Sequence, residues 1–296
     1  MKKLKKYFPI IILFVSIIGF IGIHFIAPYG ITQPPRINTS LLPQDLGLNS
    51  ERLHVKTEEG FALDGHWIKG DLDTTKGLIV FVHGIGGCKE HFLPLTKELA
   101  SKGIESIIFD GRAHGKSEGD FCTYGFYEKR DIVRIVDKVK SQHPNIKIGI
   151  WGNSMGGAIA IQSLAIEPRL DFGIIESTFT ELNVIVHDYK KRILKGFGIK
   201  FLSNYALRRA GKIANFNPDK VKPIQSVKHI EQPILLAHGD ADRNIHVEYG
   251  KQLFNNIKST DKELVIIIDG GHLDLFAKGG AEYKMKLDRF IMKNLK

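Results

Sequence analysis

A serine set between glycines, Gly152-Asn153-Ser154-Met155-Gly156, is the point in this 296-residue chain best placed to become a nucleophile. The residues before it, Lys147-Ile148-Gly149-Ile150-Trp151, read as a short buried strand, and Ala158, Ile161, Leu164 and Ala165 recur after it at helical spacing. A strand, a G-x-S-x-G turn and a helix together hold a serine side chain in a sharp, strained and accessible turn. The glycines leave room for that turn, because no Cβ obstructs the close approach of strand and helix.

A serine hydroxyl is a weak nucleophile at neutral pH, so it needs an adjacent base, and the base needs an orienting acid. Asp242 lies in His238-Gly239-Asp240-Ala241-Asp242, directly after the apolar run Pro233 to Ala237. His272 lies in Asp269-Gly270-Gly271-His272, directly after Leu264 to Ile268. Loops leaving the carboxyl ends of parallel strands share one edge of a sheet, so these two residues and Ser154 can converge. Asp240 is the alternative acid. His238 and His83 sit at strand exits, where structural roles are the commoner ones, and His246 near a helix start reads as exposed. Acyl transfer also needs donors for a developing oxyanion. The Met155 N–H follows the serine directly, and the Ile85 N–H is the choice from His83-Gly84-Ile85-Gly86-Gly87, whose glycines allow close backbone approach.

The elements that must position these groups are legible as apolar runs. Leu53 to Thr57 and Phe61 to Ile68 alternate apolar and polar residues around Glu59-Gly60, the pattern of a hairpin. Gly77 to Val82 is a continuous apolar run, as expected of a parallel strand covered on both faces, and Ile104 to Phe109 and Phe172 to Ile175 read as further strands. Helices are marked by Phe92, Leu95 and Leu99, by Ile132, Val133, Val136 and Val139, and by the stretch from Val247 to Ile257. Strands alternating with helices predict an α/β class with a mostly parallel, eight-stranded sheet flanked by helices. The loop Asp110 to Tyr124 separates one strand from its helix. The stretch from about 177 to 231 is too long for a connection and predicts a small helical lid. Between His187 and Lys222 it carries ten Lys/Arg and two acids, Asp188 and Asp219, with Tyr189, Phe197, Phe201 and Tyr205 interspersed. Such a surface is either a solvated cationic face or one that touches acyl chains or anionic lipid.

The amino-terminal part is different in kind. Lys2, Lys3, Lys5 and Lys6 precede Tyr7 to Gly30, which holds no Asp, Glu, Lys or Arg. About 20 apolar residues at 1.5 Å rise span a ~30 Å hydrocarbon core, so residues 1–30 are expected to be a membrane anchor. A cleaved signal is the competing reading, but no A-x-A site follows the run. The four lysines before the span and Arg36 after it place the amino terminus in the cytoplasm and the rest of the chain outside. Residues 31–50, with Pro34, Pro35 and Pro43, read as an irregular tether, and 51–296 as one domain carrying the lid. On that division a chain beginning near Ser50 is expected to be soluble and active. The net charge of +10 owes four units to the anchor, and no basic stripe interleaved with aromatics points to nucleic acid. No Cys/His cluster has metal-ligand spacing, and no metal or cofactor is expected.

Over residues 50 to 296 the chain resembles the α/β-hydrolase superfamily, in particular its monoacylglycerol lipase-like and serine aminopeptidase-like (S33) group. The resemblance rests on His83-Gly84-Ile85-Gly86-Gly87, on Asp110-Gly111-Arg112-Ala113-His114-Gly115-Lys116-Ser117, on the Ser154 turn, on His238 to Asp242 and on Gly271-His272. The order Ser, Asp, His matches that superfamily's. Ala113 stands where the usual D-x-R-G-H-G-x-S has a glycine. An anchor before such a domain also resembles the membrane-tethered Bem46-like hydrolases. The resemblance implies cleavage of an acyl bond through an acyl-serine, with Ser154, Asp242 and His272 as triad and Ile85 and Met155 as oxyanion donors. A lipid or small acyl ester is the expected substrate. An S33-type peptidase or amidase, a thioesterase and an acyltransferase are the alternatives, and a non-catalytic binding module is a further one. In this fold the strands before Cys88 and Cys122 are neighbours. The pair therefore either forms a disulfide in an oxidising compartment or stands as two separate small apolar residues.

Overall fold

The computed structural model describes residues 2–72, 74–193, 196 and 198–296, with side chains from Tyr7 onward and without that of Ile193; Phe197 of the lid lies outside the described residues. In chain order, helix α1 (Lys2–Ile21) continues through a π turn (Gly22–Ile26) into α2 (Ala27–Thr32). Strands β1 (Ser50–Arg52), β2 (Val55–Lys56), β3 (Ala62–Leu63), β4 (Gly65–Ile68) and β5 (Gly77–Val82) follow. Next come α3 (Leu93–Ser101), β6 (Ile104–Phe109), α4 (Glu128–Gln142), β7 (Ile148–Asn153), α5 (Met155–Leu164) and β8 (Phe172–Glu176). The segment between β8 and β9 holds α6 (Leu182–Ile193), α7 (Lys200–Ile213) and α8 (Pro223–Ser226). The chain ends with β9 (Ile234–Gly239), α9 (Val247–Asn256), β10 (Lys262–Ile267) and α10 (Leu275–Asn294).

The main sheet has eight strands in the order β1-β4-β6-β5-β7-β8-β9-β10, parallel from β6 to β10 and antiparallel at the β1 and β4 edge. Every residue of β5, β6 and β8 is buried, so β5 reads as an unbroken apolar run, while β6 carries Glu105 and Ser106 and β8 ends in Glu176. Two apolar layers clothe the faces. One packs Ile132, Ile135 and Val136 of α4 and Ile159 and Ile161 of α5, and the other packs Trp151, Phe81 and Phe172 against Phe290 and Tyr283 of α10.

The order in which the chain adds strands reverses between β5 and β7, with β6 on one side of β5 and β7 on the other, and the registers there decide what meets. Val82 pairs with Gly152, Asn153 with Glu176, Glu176 with Ala237 and Gly239 with Ile267. The loops after β5, β7, β9 and β10 therefore leave one edge together, as expected at a topological switch point.

The amino-terminal hairpin is divided more finely than its reading as two strands. β2 and β3 form a small ladder of their own around the Glu59-Gly60 turn, and β4 joins the main sheet with β1. The expected single strand from Phe61 to Ile68 divides at Asp64, which is held by Arg52 at 2.7 Å and by Lys89 at 2.8 Å. Helix α10 has no counterpart in the sequence reading. Gly279-Gly280 interrupts its periodicity, and Gly280 breaks the helix with a φ of 53°.

Residues 22–36 are also less independent than their composition suggests. Pro28, Thr32 and Pro34 are buried, and the Thr32 carbonyl accepts from the Cys122 amide at 2.8 Å. The Arg36 guanidinium donates to the carbonyls of His114, Gly115, Ser117 and Gly119, so it laces the loop that ends at Tyr124.

Candidate active site

Ser154 sits in the turn between β7 and α5 with φ 54° and ψ −120°, a conformation that costs a non-glycine residue roughly 1–3 kcal/mol. Its neighbours hold it there. The Ser154 amide donates to the Glu176 carbonyl at 2.9 Å, and the Thr178 hydroxyl donates to the Ser154 carbonyl at 2.7 Å. Gly156 packs so closely under the end of β5 that a Cβ would collide with the backbone carbonyls of Val82 and His83. Any larger residue there would push the helix, and Ser154 with it, off the sheet.

The structure brings the three candidate triad residues into one hydrogen-bonded line. Ser154 Oγ lies 2.9 Å from His272 Nε2, and His272 Nδ1 lies 2.7 Å from Asp242 Oδ2. An ionised carboxylate can only accept, so Nδ1 carries the ring proton and Nε2 presents its lone pair to the serine hydroxyl. Burial alone would raise the Asp242 pKa, but hydrogen bonds from His238 and His272 and from the Ile245 amide override it and hold the carboxyl far below its usual range. Its other oxygen accepts from the amides of Asn244 at 2.7 Å and Ile245 at 2.9 Å. Asp240, the alternative acid, is exposed, and His246 is exposed as expected. His238 is fully buried beside the site, its Nε2 2.8 Å from the Ile245 carbonyl and 3.5 Å from Asp242 Oδ2.

The glycine loop after β5 lies against the serine. A Cβ on Gly84 would stand 3.2 Å from that of Ser154, so the loop backbone comes as close to the nucleophile as a backbone can. Its direction is set by His83. The Gly111 amide donates to His83 Nε2 at 3.0 Å, which leaves Nδ1–H to donate to the Gly84 carbonyl at 2.8 Å. The Gly87 amide donates to the same carbonyl at 3.0 Å, so the Gly84–Ile85 peptide is fixed at its oxygen end. Among the described residues the Ile85 amide has no protein acceptor, and the Met155 amide, first in α5, has none within its helix.

Behind this loop stands a network that the motif Asp110 to Ser117 encodes. Lys89 Nζ lies between Asp110 at 2.7 Å, Asp64 at 2.8 Å and Glu90 at 3.0 Å, and Asp110 also accepts from the amides of Lys89 and Lys116. Burial disfavours the Lys89 charge, but these carboxylates outweigh it and raise its pKa. Arg112 makes a two-pronged bond to Asp131 at 2.8 and 2.6 Å. Ala113 adopts φ 64°, the left-handed conformation that a glycine takes without strain, at a cost of roughly 1 kcal/mol. Arg36, Lys89 and Thr178 had no signal in the sequence; each acts through a backbone bond or a long-range ion pair that no local pattern records.

Cys88 and Cys122 are both free and buried, which corrects the disulfide alternative. Cys122 Sγ lies 3.9 Å from Met155 Sδ, whereas burial and Glu90 together push the Cys88 thiol up to about 11.

The sheet order and the serine turn are those of an α/β-hydrolase. A model of the serine aminopeptidase S33 family matches residues 73–226, about half of the chain, and the chain belongs to that family. It is a serine hydrolase. The uncharacterized protein YqkD of Bacillus subtilis is 27% identical over 224 residues, covering 73% of this chain and 72% of that protein. The lysophosphatidylserine lipase ABHD12 of Xenopus tropicalis is 26% identical over 282 residues, covering 81% of this chain and 70% of that one. Among solved structures, the Pyrococcus furiosus esterase Pf2001 superposes with a TM-score of 0.74 at 23% identity, covering 89% of this chain and 98% of the esterase.

Proposed function

We propose that this protein cleaves a carboxylic ester of a lipid or small acyl compound through an acyl-serine formed on Ser154. The hydrogen-bonded run from Ser154 through His272 to Asp242 is the observation that carries the reading. Ser154 Oγ attacks the ester carbonyl carbon while His272 Nε2 takes the hydroxyl proton. The carbonyl oxygen becomes an anion held by the amides of Ile85 and Met155, each donor contributing about 3 kcal/mol. Collapse breaks the bond to the alcohol oxygen, which leaves with the proton from His272. Water then attacks the acyl carbon, gives a proton to His272, and the carboxylic acid departs as Ser154 recovers its hydrogen. Asp242 stays ionised throughout, as its depressed pKa requires, and stabilises the imidazolium.

The lipase activity in the name of the Xenopus relative and the anchor-like helix favour a lipid ester. Amide cleavage at a free amino terminus would need a carboxylate for the amine, and Asp242, Glu176 and Asp188 are engaged by His272, Tyr283 and Tyr249. The span from Tyr7 to Thr32 has a mean hydropathy of 2.7 and is long enough to cross a membrane. With the lysines on its amino-terminal side, the catalytic part lies outside the cytoplasm. A chain-length series of p-nitrophenyl esters tests the substrate class. Labelling by a fluorophosphonate tests the nucleophile: Ser154→Ala is expected to abolish both labelling and hydrolysis in a folded protein, and labelling that persists would refute the assignment.

A further inference from the structure

The anchor does not simply end and hand over to a flexible tether. Residues 7–21 stand clear of the rest of the chain, but His24 is half-buried against α7, its Nδ1 2.6 Å from the Tyr205 hydroxyl. The Tyr29 ring lies tilted beside Phe121, centroids 6.4 Å apart, and the Tyr124 hydroxyl donates to the Ile31 carbonyl at 2.6 Å. Pro35 lies beside Gly86 of the loop that carries Ile85. The segment that leaves the bilayer is thus packed on α7 of the helical cap (the lid segment α6 to α8) and on the oxyanion loop.

Helical rise then fixes the depth of the cap. A ~30 Å hydrocarbon core takes about 20 residues at 1.5 Å each. Counted from the last lysine, Lys6, the far boundary falls near Ile26, and tilt moves it further along the chain. Phe25 and Ile26 are correspondingly exposed. The His24–Tyr205 bond lies on the membrane side of that boundary, so α7 cannot stand off in water while α1 spans.

The face that α7 turns outward suits this position. Phe201, Tyr205, Arg208 and Lys212 recur at helical spacing along one stripe, whereas Ser203, Ala206, Leu207 and Ala210 are buried on the other. Phe201 is 74% exposed and Ile199 just before it 65%, too apolar to be a solvated surface. Among the described residues Arg208 and Lys212 have no carboxylate partner, within a segment of ten cations and two acids. An aromatic end with cations along the same stripe is the pattern of a helix lying in a lipid interface.

We infer that α7 docks on the anionic phospholipid surface of the bilayer that holds α1, so that the cap and the loops around Ser154 face the leaflet from which the ester is drawn. The end of α6 carries the cap to the catalytic acid: Arg192 donates to Asn244, whose amide binds Asp242. A lipid ester would then pass from leaflet to Ser154 without crossing bulk water. The inference rests on α1 being an anchor, and the test separates the two.

Full-length protein in vesicles of brominated phosphatidylcholine, with and without phosphatidylglycerol, provides the readout, because native Trp67 and Trp151 are buried and report little. Fluorescence of the F201W variant is expected to be quenched, more strongly with phosphatidylglycerol, alongside that of an F14W control in α1. Quenching in F14W but not in F201W overturns cap docking and leaves the anchor standing; quenching in neither overturns both. As a second arm, Phe201→Ser should lower hydrolysis of a long-chain ester in the bilayer roughly tenfold and leave p-nitrophenyl acetate hydrolysis unchanged. Equal loss on both esters, or loss on neither, would overturn the inference.

Discussion

Folding holds His83 neutral in a site that cannot solvate its charge, and that makes stability depend on pH in a way one substitution can isolate. Burial first, and the charge His114 would carry second, depress its pKa from 6.5 to about 4. Above pH 6.5 both folded and unfolded chains carry a neutral ring, and His83 adds nothing to the pH dependence. As pH falls below that value the unfolded chain takes up a proton that the folded one refuses, so stability drops. The loss is complete near pH 4, where both states are protonated. At about 1.4 kcal/mol per pKa unit the full loss is roughly 3 kcal/mol, with a steepest slope near 1.4 kcal/mol per pH unit. His83→Asn removes the titration but keeps an amide able to donate to the Gly84 carbonyl. It strands the Gly111 amide, a pH-independent cost of about 1–3 kcal/mol. Urea unfolding of the detergent-solubilised chain, followed by circular dichroism from about pH 7.5 to 4.5, separates the two effects. The variant is expected to be less stable at neutral pH and to lose less stability on acidification. Parallel curves for the two proteins would refute a buried neutral His83.

The remaining expectations concern the acid, the tether and the thiols. Asp242→Asn should lower kcat by several orders of magnitude through the wrong His272 tautomer, while Asp240→Asn, on an exposed loop, should change it little; the opposite ranking in steady-state kinetics would reassign the acid. A chain beginning at Ser50 loses the Arg36 hydrogen bonds and the buried Thr32, and urea midpoints should show it roughly 2–4 kcal/mol less stable than the full chain, against the expectation from composition alone. Equal midpoints would restore residues 31–50 to the role of a plain tether. Alkylation under denaturing, non-reducing conditions should add two groups, one per free thiol, and a chain that takes up none and weighs two hydrogens less than the reduced one would reveal a bridge.

What could be read from the sequence followed from how local each signal is. The parallel strands announced themselves because burial on both faces leaves β5 wholly apolar and β6 and β8 mostly so, without the strict alternation of a half-exposed strand. Ser154, Asp242 and His272 stood out because each lies in the loop that follows a strand, β7, β9 or β10, and the pairing of Val82 with Gly152 and of Gly239 with Ile267 converts three sequence positions into one sheet edge. The hairpin was misdivided because alternation survives the transfer from one sheet to another. Nothing in Phe61 to Ile68 records that Asp64 is claimed by Arg52 and Lys89. Helix α10 was hidden by two glycines whose backbone breaks an otherwise amphipathic run. The tether shows the same limit. Its three prolines and lack of periodicity look irregular, and it is irregular, yet irregular backbone packs as tightly as any when a side chain such as Arg36 finds four carbonyls. Composition reports whether a segment can repeat, not whether it is held. The contacts that join anchor, cap and oxyanion loop are of this second kind: His24 meets Tyr205 across 181 residues, and only the folded chain reveals that the apolar helix and the catalytic edge are one assembly.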